Sequence, residues 1–382
     1  MTYVEQLAAF VTQAAYEKLS QEARQALKIH VLDALGCAIG AVEGPPLKML
    51  YAQLEDFGGN PLVSLIGGGK TAPDRAALYN SALVRYLDYN DSYLARGETC
   101  HPSDNLGAVL AATEYAAGRL SHWKGLAYPN TAFDATHVAF LAMRGITGPL
   151  EVFEGNKGFM ESIAGKFEIN WQQENLEAVT RTSIKKYNAE FHSQSVLEGI
   201  LELRASHQVE AQNVDSIEIE IFDVAFHIIG GGEEGDKQLV RTKEEADHSL
   251  PYMVAVALLD GEVSPAQYTP ERIMRQDVQT LLRKVTTRPN DEMSKRFPAE
   301  MPCRIHIVLK NGQSLSSEKR DYEGFYTRPM SWEMAAQKFE RLASPYTDSD
   351  LRRSIEDTVE RLEAMEIQQL TEPLAQVRRS KS

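Results

Sequence analysis

The chain has 382 residues, 43% of them apolar and 25% charged, with a formal net charge of −14. That length exceeds one ordinary core and predicts two domains. The acidic balance, with no basic run longer than two residues before Arg378-Arg379-Ser380-Lys381, argues against a general nucleic-acid binder. No stretch of 18 residues is free of charge, so no membrane-spanning helix is expected. The start of the chain, Met1 to Phe10, has no basic region of the secretory kind, and a cytoplasmic location is expected. Three scattered cysteines, Cys37, Cys100 and Cys303, fit a reducing compartment better than a disulfide framework or a cysteine-based zinc site.

The first third reads as helices. Val4, Leu7, Ala8, Val11 and Ala15 share one helix face over Tyr3 to Glu17. Ser20 is placed to cap a second helix, Ala23 to Val42, whose Gly-Ala-rich end from Gly36 predicts close helix packing. Pro45-Pro46 opens a third, Leu47 to Phe57. Further helices are predicted over Asp74 to Asp91, Asn105 to Ala117 and Thr131 to Met143. The middle of the chain changes character. Val214 to Phe222 alternates apolar and polar, as a half-buried strand does. Arg304 to Leu309, Asn311-Gly312 and Gln313 to Ser316 read as a hairpin with an Asn-Gly turn. Helices fill the intervals at Ser193 to Ser206, His248 to Asp260 and Pro270 to Val285, and the end is helical again at Ser331 to Leu342 and Ser349 to Ala364. The order predicts a mainly α protein with an α+β part: a discontinuous helical domain, 1–180 with 327–382, and an inserted α+β lid domain, 181–326.

Chemistry is concentrated in three places. Between two apolar helices, Leu87-Asp88-Tyr89-Asn90-Asp91 leads to His101-Pro102-Ser103-Asp104. Asp88 and Asp91, three apart, would share a helix face, and Ser103 or Asp104 would cap the next helix. The same residues also make an ordinary charged helix end with its cap. Lys185-Lys186-Tyr187-Asn188-Ala189-Glu190-Phe191-His192-Ser193-Gln194 puts two lysines, a carboxylate, an imidazole and an amide within ten residues. Such a set can hold carboxylates and move a proton, or form a solvated turn. Asp247-His248-Ser249 precedes a very apolar helix, as a cap and a satisfied histidine would. Gly67-Gly68-Gly69-Lys70-Thr71 lacks the glycine that a phosphate-binding loop needs five residues upstream, where Ser64 stands. Gly230 to Gly235 is acidic and reads as a connection. Histidine and cysteine never recur at metal-ligand spacing, so no metal is expected.

Together, Arg85-Tyr-Leu-Asp-Tyr-Asn-Asp91, His101-Pro-Ser-Asp-Asn-Leu-Gly107, Asn188-Ala-Glu-Phe-His-Ser-Gln194, Asp247-His248 with Tyr252-Met-Val254, and Thr327-Arg-Pro-Met-Ser331 resemble the 2-methylcitrate dehydratase family, which also contains cis-aconitate decarboxylase and iminodisuccinate epimerase. The resemblance implies a helical domain built from both chain ends, a lid domain, an active site between them, a homodimer and no cofactor. It implies pocket positions for Asp88, His101, Glu190, His192, Gln194 and His248, and a carboxylate-binding role for Lys124. One departure stands out. Members of that family carry roughly 80 to 90 further residues at Gly118/Arg119, several helices of a domain of ordinary size.

The expected activity is a metal-free hydro-lyase acting on a small hydroxy-tricarboxylate, as in propionate catabolism. Lys124, Lys186 and Arg85 would hold carboxylates, Asp88 or His101 would be the base, and His192 the acid, with base and acid exchangeable. Asp91, Glu190, Gln194 and His248 would complete the pocket. Epimerisation or decarboxylation in the same pocket is the second expectation, and an inactive shortened paralogue or deletion product the third.

Overall fold

The computed structural model describes residues 2–94, 99–112, 133–135, 137–138, 142, 145–148, 150–171, 174–231 and 236–378. The junction at Gly118/Arg119, Lys124 and most of the helix expected over 131–143 lie outside them. The chain is mainly helical with a small mixed sheet. It divides into two compact units. One comprises Met1–Ala82, Asp104–Thr182 and Lys338–Ser382; the other comprises Leu83–Ser103 and Ser183–Gln337.

In the first unit local sequence signals set the helix starts. Thr2 and Glu5 form a capping box ahead of helix Tyr3–Gln13. Ser20 accepts the amide of Ala23 at 3.0 Å and starts helix Gln21–Gly40, in which every residue from Leu32 to Ile39 is buried. An added Cβ on Gly36 would lie 3.1 Å from the Phe339 Cα, which explains the small residues at this end. Nearby in sequence, Asp33 and Lys338 form a buried ion pair at 2.6 Å. Pro45 opens helix Pro45–Phe57. Strands β1 (Val63–Ser64) and β2 (Lys70–Thr71) pair antiparallel, and Gly67, Gly68 and Gly69, all at positive φ, make the turn between them. The glycine run that resembled part of a phosphate loop is this hairpin turn. Val109, Val138, Ile146 and Leu150 are exposed. The helix Ile367–Leu374 was not expected; its apolar face packs on helix Ser349–Glu360.

The second unit holds the strand pair β3 (Tyr93–Leu94) and β4 (Thr99–Cys100) and a four-stranded sheet. The sheet comprises β5 (Val214–Ile221), β6 (Val285–Pro289), β7 (Cys303–Leu309) and β8 (Ser314–Lys319), in the order β6-β5-β7-β8. β5 runs parallel to β6 and antiparallel to β7. Ile217, Ile219 and Ile221 alternate into the core, as the sequence period required, and a register irregularity between Val214 and Ser216 leaves Val214 buried as well. The hairpin between β7 and β8 has a three-residue loop, Lys310 to Gly312, with only Gly312 at positive φ. This is a type I turn closed by a glycine bulge, the next most common solution after the two-residue Asn-Gly turn. The helix expected over Pro270 to Val285 breaks up instead: it is Pro270–Ile273, then Gln276–Leu281, and its end turns into β6. Val285, Thr286 and Thr287 are β-branched and favour the strand. Helix Gln194–His207 packs on β7 and β8, and Gly199 permits it, because a Cβ there would stand 2.5 Å from Ile305 Cδ1. Helix Leu250–Asp260, capped by Ser249, is buried along most of its length and packs against Gln194–His207 and β6.

No single helix among the described residues is long and apolar enough to cross a membrane; Gln21–Gly40 and Pro45–Phe57 pass that test only as a pair bent by 84°.

Candidate active site

Helix Pro73–Tyr86 ends before the first charged cluster begins. Asp88 follows in the left-handed region at φ 51°, where aspartate is better tolerated than most residues. The expectation that Asp88 and Asp91 share a helix face is therefore corrected. The chain has left the helix, and the two carboxylates serve different partners. Asp91 Oδ1 accepts the Ser103 amide at 3.0 Å, and Asn90 donates to the Ser103 hydroxyl at 3.0 Å. Ser103 is thus held from the Asp91 loop.

Asp88 is buried and meets two cations. Arg85 and Asp88 pair directly, and Lys185 Nζ lies 2.8 Å from Asp88 Oδ1 and 2.6 Å from its carbonyl oxygen. Lys185 is 1% exposed. Burial lowers its pKa and the Asp88 charge works against that shift. Arg85 and Lys185 share this one carboxylate, and Glu190 and Asp247 act on the same cluster from beside it.

His101 is partly buried. Its Nδ1 lies 2.7 Å from the Asp91 carbonyl oxygen and 3.2 Å from the Ser92 hydroxyl. A carbonyl only accepts, so this bond places the ring proton on Nδ1 and leaves the lone pair on Nε2. Burial, then Arg85 and Lys185, push the His101 pKa down to about 3. The imidazole is neutral at physiological pH, with Nε2 ready to accept a proton.

A second imidazole is anchored by a carboxylate. Glu190 accepts the His192 amide and the His192 ring Nδ1, both at 2.7 Å, and both residues are buried. Burial raises the Glu190 pKa, but His192, His248 and Lys185 outweigh it and hold the carboxyl at about 2. His192 Nε2 is buried without a hydrogen-bond partner among the described residues. The ring sits beside Phe222 and Phe297, whose own rings stack 4.4 Å apart.

The third cluster joins these. The Glu190 amide donates to the Asp247 carbonyl at 3.0 Å. Asp247 pairs with Lys243 and with His248 Nδ1, each at 2.6 Å. Lys243 in turn stands over the Tyr86 ring. Ligand atoms of Asp88, Asp247 and His248 lie within 4.8 Å of one another, the reach of a metal ion. Both carboxylates already face cations, Asp88 two and Asp247 one. A divalent ion would enter against three positive groups, so the donor set fits an ion-pair network better than a metal centre.

The structure brings together Arg85, Asp88, His101, Glu190, His192 and His248, all in the second unit. It places the other candidates differently. Lys186 pairs with Glu198 at 3.1 Å and Glu323 at 3.0 Å. Gln194 accepts the Lys186 and Tyr187 amides at 2.9 and 3.0 Å and donates to the Tyr187 carbonyl, so its side chain braces its own loop. Lys185, Asp247 and Lys243 are the members that sequence reading did not single out. Adjacent lysines give no sign of which one turns inward. Asp247 showed only as the neighbour of His248.

The chain belongs to the MmgE/PrpD family. The MmgE/PrpD N-terminal domain matches residues 5–119 and 113–172, and the MmgE/PrpD C-terminal domain matches residues 187–364. The two N-terminal pieces meet across the junction at Gly118/Arg119. Cis-aconitate decarboxylase of Mus musculus is 25% identical over 275 residues, covering 68% of this chain and 53% of that protein. 2-Methylcitrate dehydratase of Salmonella typhi is 23% identical over 364 residues, covering 71% of this chain and 74% of that protein. The mitochondrial 2-methylcitrate dehydratase of Yarrowia lipolytica is 23% identical over 414 aligned positions, with 80% and 77% covered. An alignment longer than the 382-residue chain means that this relative carries sequence the chain lacks. The chain spans about half the length of the decarboxylase that it matches. The named relatives are enzymes, a dehydratase and a decarboxylase.

Proposed function

We propose that the chain is a hydro-lyase that removes water from a small hydroxy-tricarboxylate, such as 2-methylcitrate or citrate, by acid/base catalysis without a metal. The observation that carries this reading is the pairing of a cationic cluster, Arg85 and Lys185 around Asp88, with a neutral imidazole whose Nε2 is a lone-pair acceptor. The substrate's carboxylates bind to the cations, with Lys124 as a further expected partner. The proton to be removed sits next to a carboxylate and is hardly acidic, so positive charge must stabilise what forms. His101 takes that proton on Nε2. A base held near a pKa of 3 is weak in the empty site. Two of the groups that depress it are Arg85 and Lys185, and an anionic substrate bound to them offsets their field and strengthens the base. His192 delivers a proton to the leaving hydroxyl from Nε2. The ionised Glu190 at Nδ1 orients the ring and stabilises the imidazolium from which that proton leaves. His248, held by Asp247, completes the charged wall. The working form is taken to be a homodimer, to be checked by light scattering.

The match to cis-aconitate decarboxylase supports a second reading, loss of carbon dioxide from an unsaturated tricarboxylate. Product analysis separates the two. Dehydration of 2-methylcitrate or citrate yields an absorbing double bond and no carbon dioxide. Carbon dioxide released from cis-aconitate, with no turnover of either hydroxy acid, would contradict the hydro-lyase reading.

A further inference from the structure

We propose that Ser92 is a positioning residue for His101: its hydroxyl oxygen, with the Asp91 carbonyl, grips the ring Nδ1–H and stabilises the imidazolium that forms when Nε2 takes the substrate's proton. The assignment rests on the lyase reading, in which His101 is the base. It adds a residue that acts through that base and does not itself touch substrate.

The contact follows from the strand register. β3 and β4 pair Tyr93 with Cys100 and Leu94 with Thr99. One step further along this antiparallel register, Ser92 stands opposite His101, and side chains so opposed lie on one face within reach of each other. Ser92 Oγ is 3.2 Å from His101 Nδ1, and the Asp91 carbonyl oxygen is 2.7 Å from the same nitrogen. The carbonyl places the proton on Nδ1, so the Ser92 oxygen faces it as a second acceptor. Two oxygens from adjacent residues thus share one N–H and set the ring's orientation. A charged ring donates more strongly than a neutral one, so both bonds strengthen as Nε2 gains its proton. Burial, Arg85 and Lys185 all oppose a charge on this ring, and the two oxygens work against them.

The support is itself held. Ser92 is fully buried, and its backbone exchanges two hydrogen bonds with Ser183, at 2.7 Å and 2.8 Å. Ser183 Oγ accepts the Tyr326 amide at 2.9 Å, and the Ile184 amide donates to the Gly324 carbonyl at 2.8 Å. Lys185 comes next in the chain. The bridge therefore ties the residue behind the base to the segment that carries the buried cation. It also provides an internal control. The two serines are both buried and face each other across one bridge, but the Ser92 hydroxyl meets the His101 ring and the Ser183 hydroxyl meets only backbone.

The test compares Ser92→Ala, Ser92→Cys and Ser183→Ala in the full chain, by kcat and KM for 2-methylcitrate and by thermal melts. Cysteine nearly keeps the volume of serine and replaces its oxygen with a weak acceptor, so it reads the same loss should the alanine variant fold poorly. Both Ser92 variants should lose kcat about 10-fold, the scale of one hydrogen bond to a charged group. KM should stay near wild type, because the bond matters most once the ring is charged. Ser183→Ala should melt lower and keep its kcat. Wild-type kcat in a folded Ser92 variant, or equal losses of kcat in Ser92→Ala and Ser183→Ala, would overturn the assignment and leave the lyase reading standing. A wild-type chain that does not turn over 2-methylcitrate would overturn both.

Discussion

Replacing Lys185 with methionine removes one charge from the buried cluster and leaves the side-chain volume nearly unchanged, so no cavity complicates the result. In the native protein the ammonium makes two bonds to Asp88, at 2.8 Å to the carboxylate and 2.6 Å to the carbonyl, with 1% exposure. Breaking a buried pair by deleting one partner costs about 3–5 kcal/mol. Arg85 still faces Asp88 in the variant, so the lower end, about 3 kcal/mol, is expected. For a unit of this size that corresponds to a fall in melting temperature on the order of 10 °C. A second consequence is specific to the arrangement. Lys185 follows burial and Arg85 among the causes that hold His101 at about 3, so its loss should raise the His101 pKa. Proton NMR titration of the His101 ring, assigned with a His101→Asn variant, reads this directly. A Lys185→Met protein that melts within 1 °C of wild type, with His101 titrating unchanged, would refute the reasoning.

Other consequences can be checked alongside. Glu190 has its folded pKa near 2, against an ordinary 4.5. Its stabilising contribution is therefore complete above 4.5 and is lost as pH falls from 4.5 towards 2. Glu190→Gln should flatten the acid limb of the stability profile over that window in denaturant melts. His101 has its folded value below 6.5, so the protonation that the unfolded chain gains as pH drops below 6.5 works against folding; His101→Asn should soften that earlier loss. Asp33→Ala leaves Lys338 buried and unpaired by Asp33 and should cost about 3–5 kcal/mol in the same assay. Gly199→Ala drives a methyl to 2.5 Å from Ile305 Cδ1, and about 1–3 kcal/mol of destabilisation should follow.

Much of the fold was legible because short-range signals agreed with it. Thr2, Ser20, Pro45 and Ser249 sit where helices start, and the alternation of β5 matched its burial. What was not legible depended on tertiary partners. The helix expected over Pro270 to Val285 ends early, and residues 285–289, opening on the β-branched Val285, Thr286 and Thr287, pair in parallel with β5 instead. Helix Pro73–Tyr86 stops short, and Asp88, in its left-handed conformation, is held by the neighbouring Arg85 and by Lys185 from a distant part of the chain. The site shows the same division. His101, His192 and Glu190 stood out as residue types, but the choice between Lys185 and Lys186 is made by packing. Lys186 turns to Glu198 and Glu323, and Lys185 turns to Asp88.

The most direct test of the central claim is the turnover of 2-methylcitrate by the full chain beside its His101→Ala variant, with both proteins checked for a cooperative melt. The account predicts formation of the unsaturated tricarboxylate by wild type and a loss of at least about 100-fold in the variant, the scale of one positioned base. Two cooperatively folded proteins with equal turnover, or with none, would contradict it.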